Sequence, residues 1–295
     1  MLVSKGLYKD SGILSKLLQL VVVFLFFTLS AMSVWLLVSD QDYSNTDSLK
    51  LLQLFQSVGM FILPPLVLAY LWSEKPFSYL QLNSAPTWWD SIKIVLIMVA
   101  AIPAINLLSF FNQQLVLPDF MQGVEVWMRN AEAETALITQ KFVNVKGVNA
   151  LLFNIFLISI IPALGEELFF RGTIQKIFTE WKNAKLAIWL AAIIFSTIHL
   201  QFLGFLPRML LGAFFGYLLL WSGSLWLVIL AHFTNNFLAV VFYYFKFNGF
   251  RVIDLDRIGT GDTLWLGIFS CIVTIAGIIL IKKSFEKKSK GFFGV

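Results

Sequence analysis

A chain of 295 residues that is 58% hydrophobic and 13% charged, with a mean hydropathy of +0.80, carries more apolar surface than a soluble fold of this length can bury, which excludes a water-soluble globular domain. The net charge of +5 calls for no nucleic acid, because lysines beside anionic lipid headgroups account for it. A single cysteine, Cys271, leaves no disulfide framework and no cysteine-based metal site.

Apolar runs close to the twenty or so residues that cross a bilayer recur along the chain. Eight are read, at roughly 13–38, 50–72, 92–111, 149–170, 186–201, 205–221, 225–245 and 263–281. The first follows Lys5, Lys9 and Lys16, yet it is too long for a signal peptide and no small-residue cleavage site follows, so it is read as a retained helix. Eight crossings put both ends on one side. With the ends inside, thirteen lysines lie on inner segments against eight lysines and arginines on outer ones, which favours cytoplasmic termini. The fold class expected is therefore all-α, a polytopic transmembrane bundle of about eight spans forming one integral membrane domain over 1–295.

Between the third and fourth runs, segment 112–148 holds a helical stretch around Gly123–Phe142, with Val124, Trp127 and Met128 set among acidic residues. An interfacial helix on the outer leaflet fits this pattern best, and a lid or substrate guide is the alternative. Pro64, Pro65, Pro103 and Pro162 fall inside runs, where kinks are tolerated if neighbours satisfy the freed carbonyls. Gly212 and Gly216 form a Gly-x-x-x-Gly pattern that close helix packing explains.

An ionisable side chain in hydrocarbon costs several kcal/mol unless it has a partner or water, which makes each one a functional candidate. Few are present. They are Glu166, Glu167 and Arg171 in the fourth run, His199 in the fifth and His232 in the seventh, and these are the only two histidines of the chain. Glu167 and Arg171 are four apart with the acid N-terminal, so they can neutralise one another, whereas Glu166 points about 100° away and is free to face a cavity. Glu166 and His199 are equidistant in sequence from a turn near Trp181–Ala184. An antiparallel hairpin there sets them at one height. His232 and Asn236, also four apart, share one face, and His232 lies about 10 Å from the helix start near Leu225, on the cytoplasmic side in this topology. Phe195, one turn before His199, reads as a packing wall, and Arg208 as a snorkelling interfacial residue.

Glu166-Glu167-x-x-x-Arg171, Phe195-x-x-x-His199 and His232-x-x-x-Asn236, with the Ser222-Gly223-Ser224-Leu225 approach to the last, resemble the three-motif signature of the CPBP family, which includes the type II CAAX prenyl endopeptidases and bacterial Abi proteins. The resemblance covers about 149–245. It implies an intramembrane endopeptidase of a bacterial cell membrane acting on a protein or peptide substrate, with Glu166, His199, His232 and Asn236 as catalytic positions. The residues suggest roles: Glu166 takes a proton from water that His199 helps to hold, His232 and Asn236 donate to the oxyanion, and Glu167 with Arg171 supports them. A zinc ion held by Glu166, His199 and His232 is an open alternative, although no His-Glu-x-x-His helix is present. Two other function classes compete. A proton-coupled transporter also uses intramembrane Glu and His, but repeat symmetry is missing. A non-catalytic scaffold or immunity-type protein has no need to retain every polar group.

The eight-run topology predicts that reporters fused at the C-terminus and within 40–48 report cytoplasm and exterior respectively. Two reporters on the same side would overturn it.

Overall fold

The computed structural model describes residues 4–39, 42, 45–250 and 254–292; Arg251 and the side chain of Lys290, both counted among the charges above, lie outside the described residues. Among the described residues every regular element is helical. In chain order these are α1 (Ile13–Val38) and α2 (Thr46–Trp72), then α3 (Trp88–Ala100), α4 (Ile102–Gln113), α5 (Gln122–Val143) and α6 (Val148–Trp181). They are followed by α7 (Ala184–Ile198), α8 (Phe205–Ser222), α9 (Leu225–Phe247) and α10 (Leu264–Phe292).

The expected eight spans are all helical, but they are not all equal. Six helical segments are long and apolar enough to cross a membrane, or seven if α3 and α4, bent by 41°, form one span. The bend falls at Ala101, two residues before Pro103, whose missing N–H and ring disfavour a straight helix. The run at 186–201 departs most from expectation: α7 has 15 residues, about 22 Å against a hydrocarbon thickness of about 30 Å. It stops at Ile198 because Leu200 adopts a left-handed φ of 54°. His199 consequently stands at the end of its helix instead of inside a span. The number of full crossings, and with it the side on which the C-terminus lies, turns on this short helix.

Local signals set the other ends. Asn183 caps α7 by accepting Leu186 N–H, and Thr87 caps α3 by accepting Asp90 N–H. α8 ends on Gly223, whose φ of 64° suits glycine and turns the chain into α9. The fifteen residues between Trp72 and Trp88 pack against the start of α9, where the Gln81 carbonyl accepts Leu225 N–H and the Ser84 carbonyl accepts the Ser224 hydroxyl.

Among the described residues the two larger apolar clusters meet at α6. One joins Ile94, Leu168, Phe215, Leu218, Val228 and Ala231 from α3, α6, α8 and α9. The other joins Leu68, Phe169, Phe170, Ile177 and Phe195 from α2, α6 and α7. α6 contributes to both, so its polar residues are pressed between two dry layers. The glycine pair of α8 does what its spacing suggests and something more. A Cβ at Gly216 would lie 2.8 Å from the Ile188 methyl and 2.6 Å from Gln175 Oε1, so α8 approaches α6 and α7 closely. That approach also bares two carbonyls: Gly212 O accepts from Arg171 and Gly216 O from Gln175.

Gly216→Val should therefore lower thermal stability in detergent by about 1–3 kcal/mol through overpacking. Gly123→Ala, where a Cβ meets nothing within 4 Å, should leave it unchanged or slightly improved. Equal melting temperatures for the two variants would refute the close α6–α7–α8 contact.

Candidate active site

The polar centre is built on α6, where a regular helix (Ile161–Phe169) lies between two π-helical turns, Ile155–Ile160 and Phe170–Ile174. Glu167 is fully buried and its Oε1 lies 3.1 Å from Arg171 Nη1. The guanidinium donates its other arm to Gly212 O at 3.0 Å and sits 4.7 Å from the Phe195 ring centre, 5.5 Å from Phe215 and 5.9 Å from Phe170. An arginine cut off from water needs acceptors for its donors and polarisable faces for its charge, and it has both here.

His232 reaches the same carboxylate from α9, with Nδ1 2.7 Å from Glu167 Oε1. Because an ionised carboxylate only accepts, Nδ1 carries the proton. Phe215 stacks on this ring at 5.5 Å and Phe195 meets it edge-on at 6.1 Å. The His199 ring is fixed in a parallel manner: Nδ1 donates to Phe195 O at 2.7 Å, and the Phe195 ring lies 4.8 Å away. Both imidazoles thus turn Nε2 toward Glu166, whose Oε2 lies 3.9 Å from His199 Nε2 and 3.8 Å from His232 Nε2. The Glu166 side chain makes no hydrogen bond among the described residues and is 16% exposed, against 0% for that of Glu167.

Asn236 stands apart from this cluster. One turn beyond His232, its Nδ2 donates to Ile158 O at 3.4 Å and its Oδ1 accepts from Asn235 at 3.3 Å. Ile158 precedes Pro162 by four residues, so its carbonyl has no helical N–H at that position to accept from, and Asn236 supplies one. Arg208, expected as a snorkelling interfacial residue, has partners in the adjoining loop. It is half-buried and donates to Gln201 Oε1 at 2.6 Å and Gln201 O at 3.1 Å, tying α8 to the loop after His199.

Sequence reasoning did not find the His232–Glu167 contact or Phe215, since neither follows from spacing on one helix. The region beyond His199 is roofed by the Phe202–Gly204 turn and α5. Trp127 packs on Phe202 with ring centres 5.4 Å apart, and Glu132 accepts Leu203 N–H at 3.3 Å. In the first turn of α5, the Leu117 N–H and Arg129 hold the Glu125 carboxyl below the usual range. Among the described residues no group of three or more His, Cys, Asp or Glu is arranged to hold a metal ion.

The two glutamates are therefore inequivalent. Glu167→Gln strands a buried arginine and should cost about 3–5 kcal/mol of stability. Glu166→Gln, which breaks no hydrogen bond, should melt within about a degree of wild type. A Glu167→Gln protein as stable as wild type would contradict the shared-carboxylate geometry.

A family model described as type II CAAX prenyl endopeptidase Rce1-like matches residues 148–238. No curated protein and no solved structure matches the chain significantly. The matched stretch contains all three motifs, from Glu166 to Asn236. It supports a protease of the CAAX type embedded among six or seven apolar helices, an integral membrane protein. Over residues 148–238 the chain is thus similar to the type II CAAX prenyl endopeptidases, which supports the CPBP/CAAX protease family.

Proposed function

We propose that the chain hydrolyses a peptide bond of a membrane-associated protein or peptide with a water activated by Glu166. The observation that carries this reading is the position of Glu166 Oε2, which faces both imidazole Nε2 atoms at 3.8–3.9 Å and has no hydrogen bond of its own among the described residues. Those separations are too long for direct hydrogen bonds and short enough for one water to join the groups.

In the proposed reaction Glu166 takes a proton from that water while His199 Nε2 accepts a hydrogen bond from it. The oxygen bonds to the scissile carbonyl carbon, and negative charge moves to the carbonyl oxygen. Donation from His232 Nε2 to this oxyanion requires the imidazolium form, its Nδ1 held by Glu167. Asn236 Nδ2 is the second donor, released from its long bond to Ile158 O. Glu166 then returns its proton to the leaving nitrogen as the C–N bond breaks, giving a carboxylic acid and an amine. Arg171 holds Glu167 in place. The whole chain acts as one domain of a bacterial cell membrane, with both termini in the cytoplasm.

Purified protein should cleave members of a peptide library, with products identified by mass spectrometry, and Glu166→Ala should abolish cleavage. Asn236→Ala should lower kcat by about a hundredfold or more with little change in KM, the usual loss of one oxyanion donor. Chelators should have no effect. Stoichiometric zinc that leaves together with activity would sink the metal-free mechanism, and a Glu166→Ala variant with full biological function would favour a scaffold.

A further inference from the structure

α2 carries two side chains that the fold does not use. Gln56 lies ten residues into a span of 27 residues, about 15 Å along the helix and so near mid-depth of the membrane. Gln53 is three residues before it on the same face. Neither side-chain amide makes a hydrogen bond among the described residues. An unpaired amide in hydrocarbon is costly, and two on one face of one span call for a partner.

Both amides line a groove of about 380 Å³. Its opposite wall is apolar, formed by Phe169 and Phe170 of α6 and by Ile194 and Ile198 of α7. The catalytic candidates do not line this groove themselves, but residues of its wall are their neighbours along the chain. Phe169 and Phe170 follow Glu166 by three and four residues, on the face that Glu166 presents, and Ile198 immediately precedes His199.

We propose that this groove holds an extended segment of the substrate polypeptide, its backbone N–H and C=O groups paired with Gln53 and Gln56 and its apolar side chains lying on the phenylalanine and isoleucine wall. The proposal rests on the endopeptidase reading above and names how that site takes its substrate. An acyl chain offers no hydrogen bond and would leave both amides unmet. A transmembrane helix satisfies its own backbone. An extended peptide presents unpaired donors and acceptors at every residue, and glutamine supplies one of each kind. The two amides are about 4.5 Å apart along the axis of α2, close enough to address neighbouring peptide units.

The test reads binding without turnover. Full-length protein in detergent is titrated against a fluorescein-labelled alanine-leucine octapeptide by anisotropy, and against the same peptide N-methylated at alternate amides. The double variant Gln53→Leu, Gln56→Leu should bind the unmethylated peptide about tenfold more weakly or worse, the net loss of two hydrogen bonds. The methylated peptide should bind wild type no better than the variant does. Met60→Trp, which fills the groove from α2 without altering either amide, should weaken binding as well, with melting temperatures unchanged. Equal affinity of wild type and the double variant, indifference to Met60→Trp, or no binding to wild type would each overturn the groove assignment. Binding without cleavage would instead overturn the peptidase reading and leave the groove standing.

Discussion

One carboxylate oxygen organises the centre of this bundle. Glu167 Oε1 receives Arg171 from its own helix and His232 from α9, while the other arm of Arg171 reaches the Gly212 carbonyl of α8. In water such contacts would be worth little. Inside the bilayer, removing either partner leaves an uncompensated charge at a cost of several kcal/mol, so the three helices are held in one register by the penalty for separating them. The aromatic rings follow from the same requirement. Phe170, Phe195 and Phe215 enclose the guanidinium, and two of them, Phe195 and Phe215, also set the planes of the histidines.

The irregular turns of α6 serve this arrangement. A π-turn places one extra residue in the ladder and re-aims the side chains that follow. The turns at Ile155–Ile160 and Phe170–Ile174 bracket the segment that carries both glutamates. Pro162 lies between them and cannot accept the usual place in the ladder, and Asn236 covers the carbonyl four residues before it. A residue read as an oxyanion donor thus also completes the helix that bears Glu166. Losing it would disturb both, which is why the separate reading of kcat and KM matters for that position.

Much of this was legible in the sequence, and the reasons are specific. Hydrocarbon penalises polar groups so strongly that the few ionisable residues within runs stood out by rarity, and helical spacing alone paired Glu167 with Arg171 and turned Glu166 away. The hairpin near Trp181–Ala184 brought His199 within 3.9 Å of Glu166, although the π-turn at Phe170–Ile174 departs from the equal rise on which that expectation rested. Contacts between helices far apart in sequence were not legible: the shared oxygen of Glu167, the stack of Phe215 on His232 and the tether of Arg208 to Gln201 depend on rotations that no single run reveals. Hydropathy also overstated α7. An apolar run continues through His199 and Leu200, but the left-handed backbone at Leu200 ends the helix first.

That early end has a chemical consequence. A histidine inside a helix has its neighbouring carbonyls taken by the ladder, whereas His199 follows the last helical residue, where carbonyls are left without N–H partners. Phe195 O is one of these, and His199 Nδ1 takes it. The bond fixes the ring and commits its proton to Nδ1, so that Nε2 can face Glu166 only as an acceptor while the ring is neutral. Glu167 does the same for His232 with a carboxylate in place of a carbonyl. The two imidazoles therefore present like atoms to Glu166 but differ in what stands behind them. Two adjacent glutamates produce this asymmetry because 100° of helical rotation gives one of them every partner and leaves the other free.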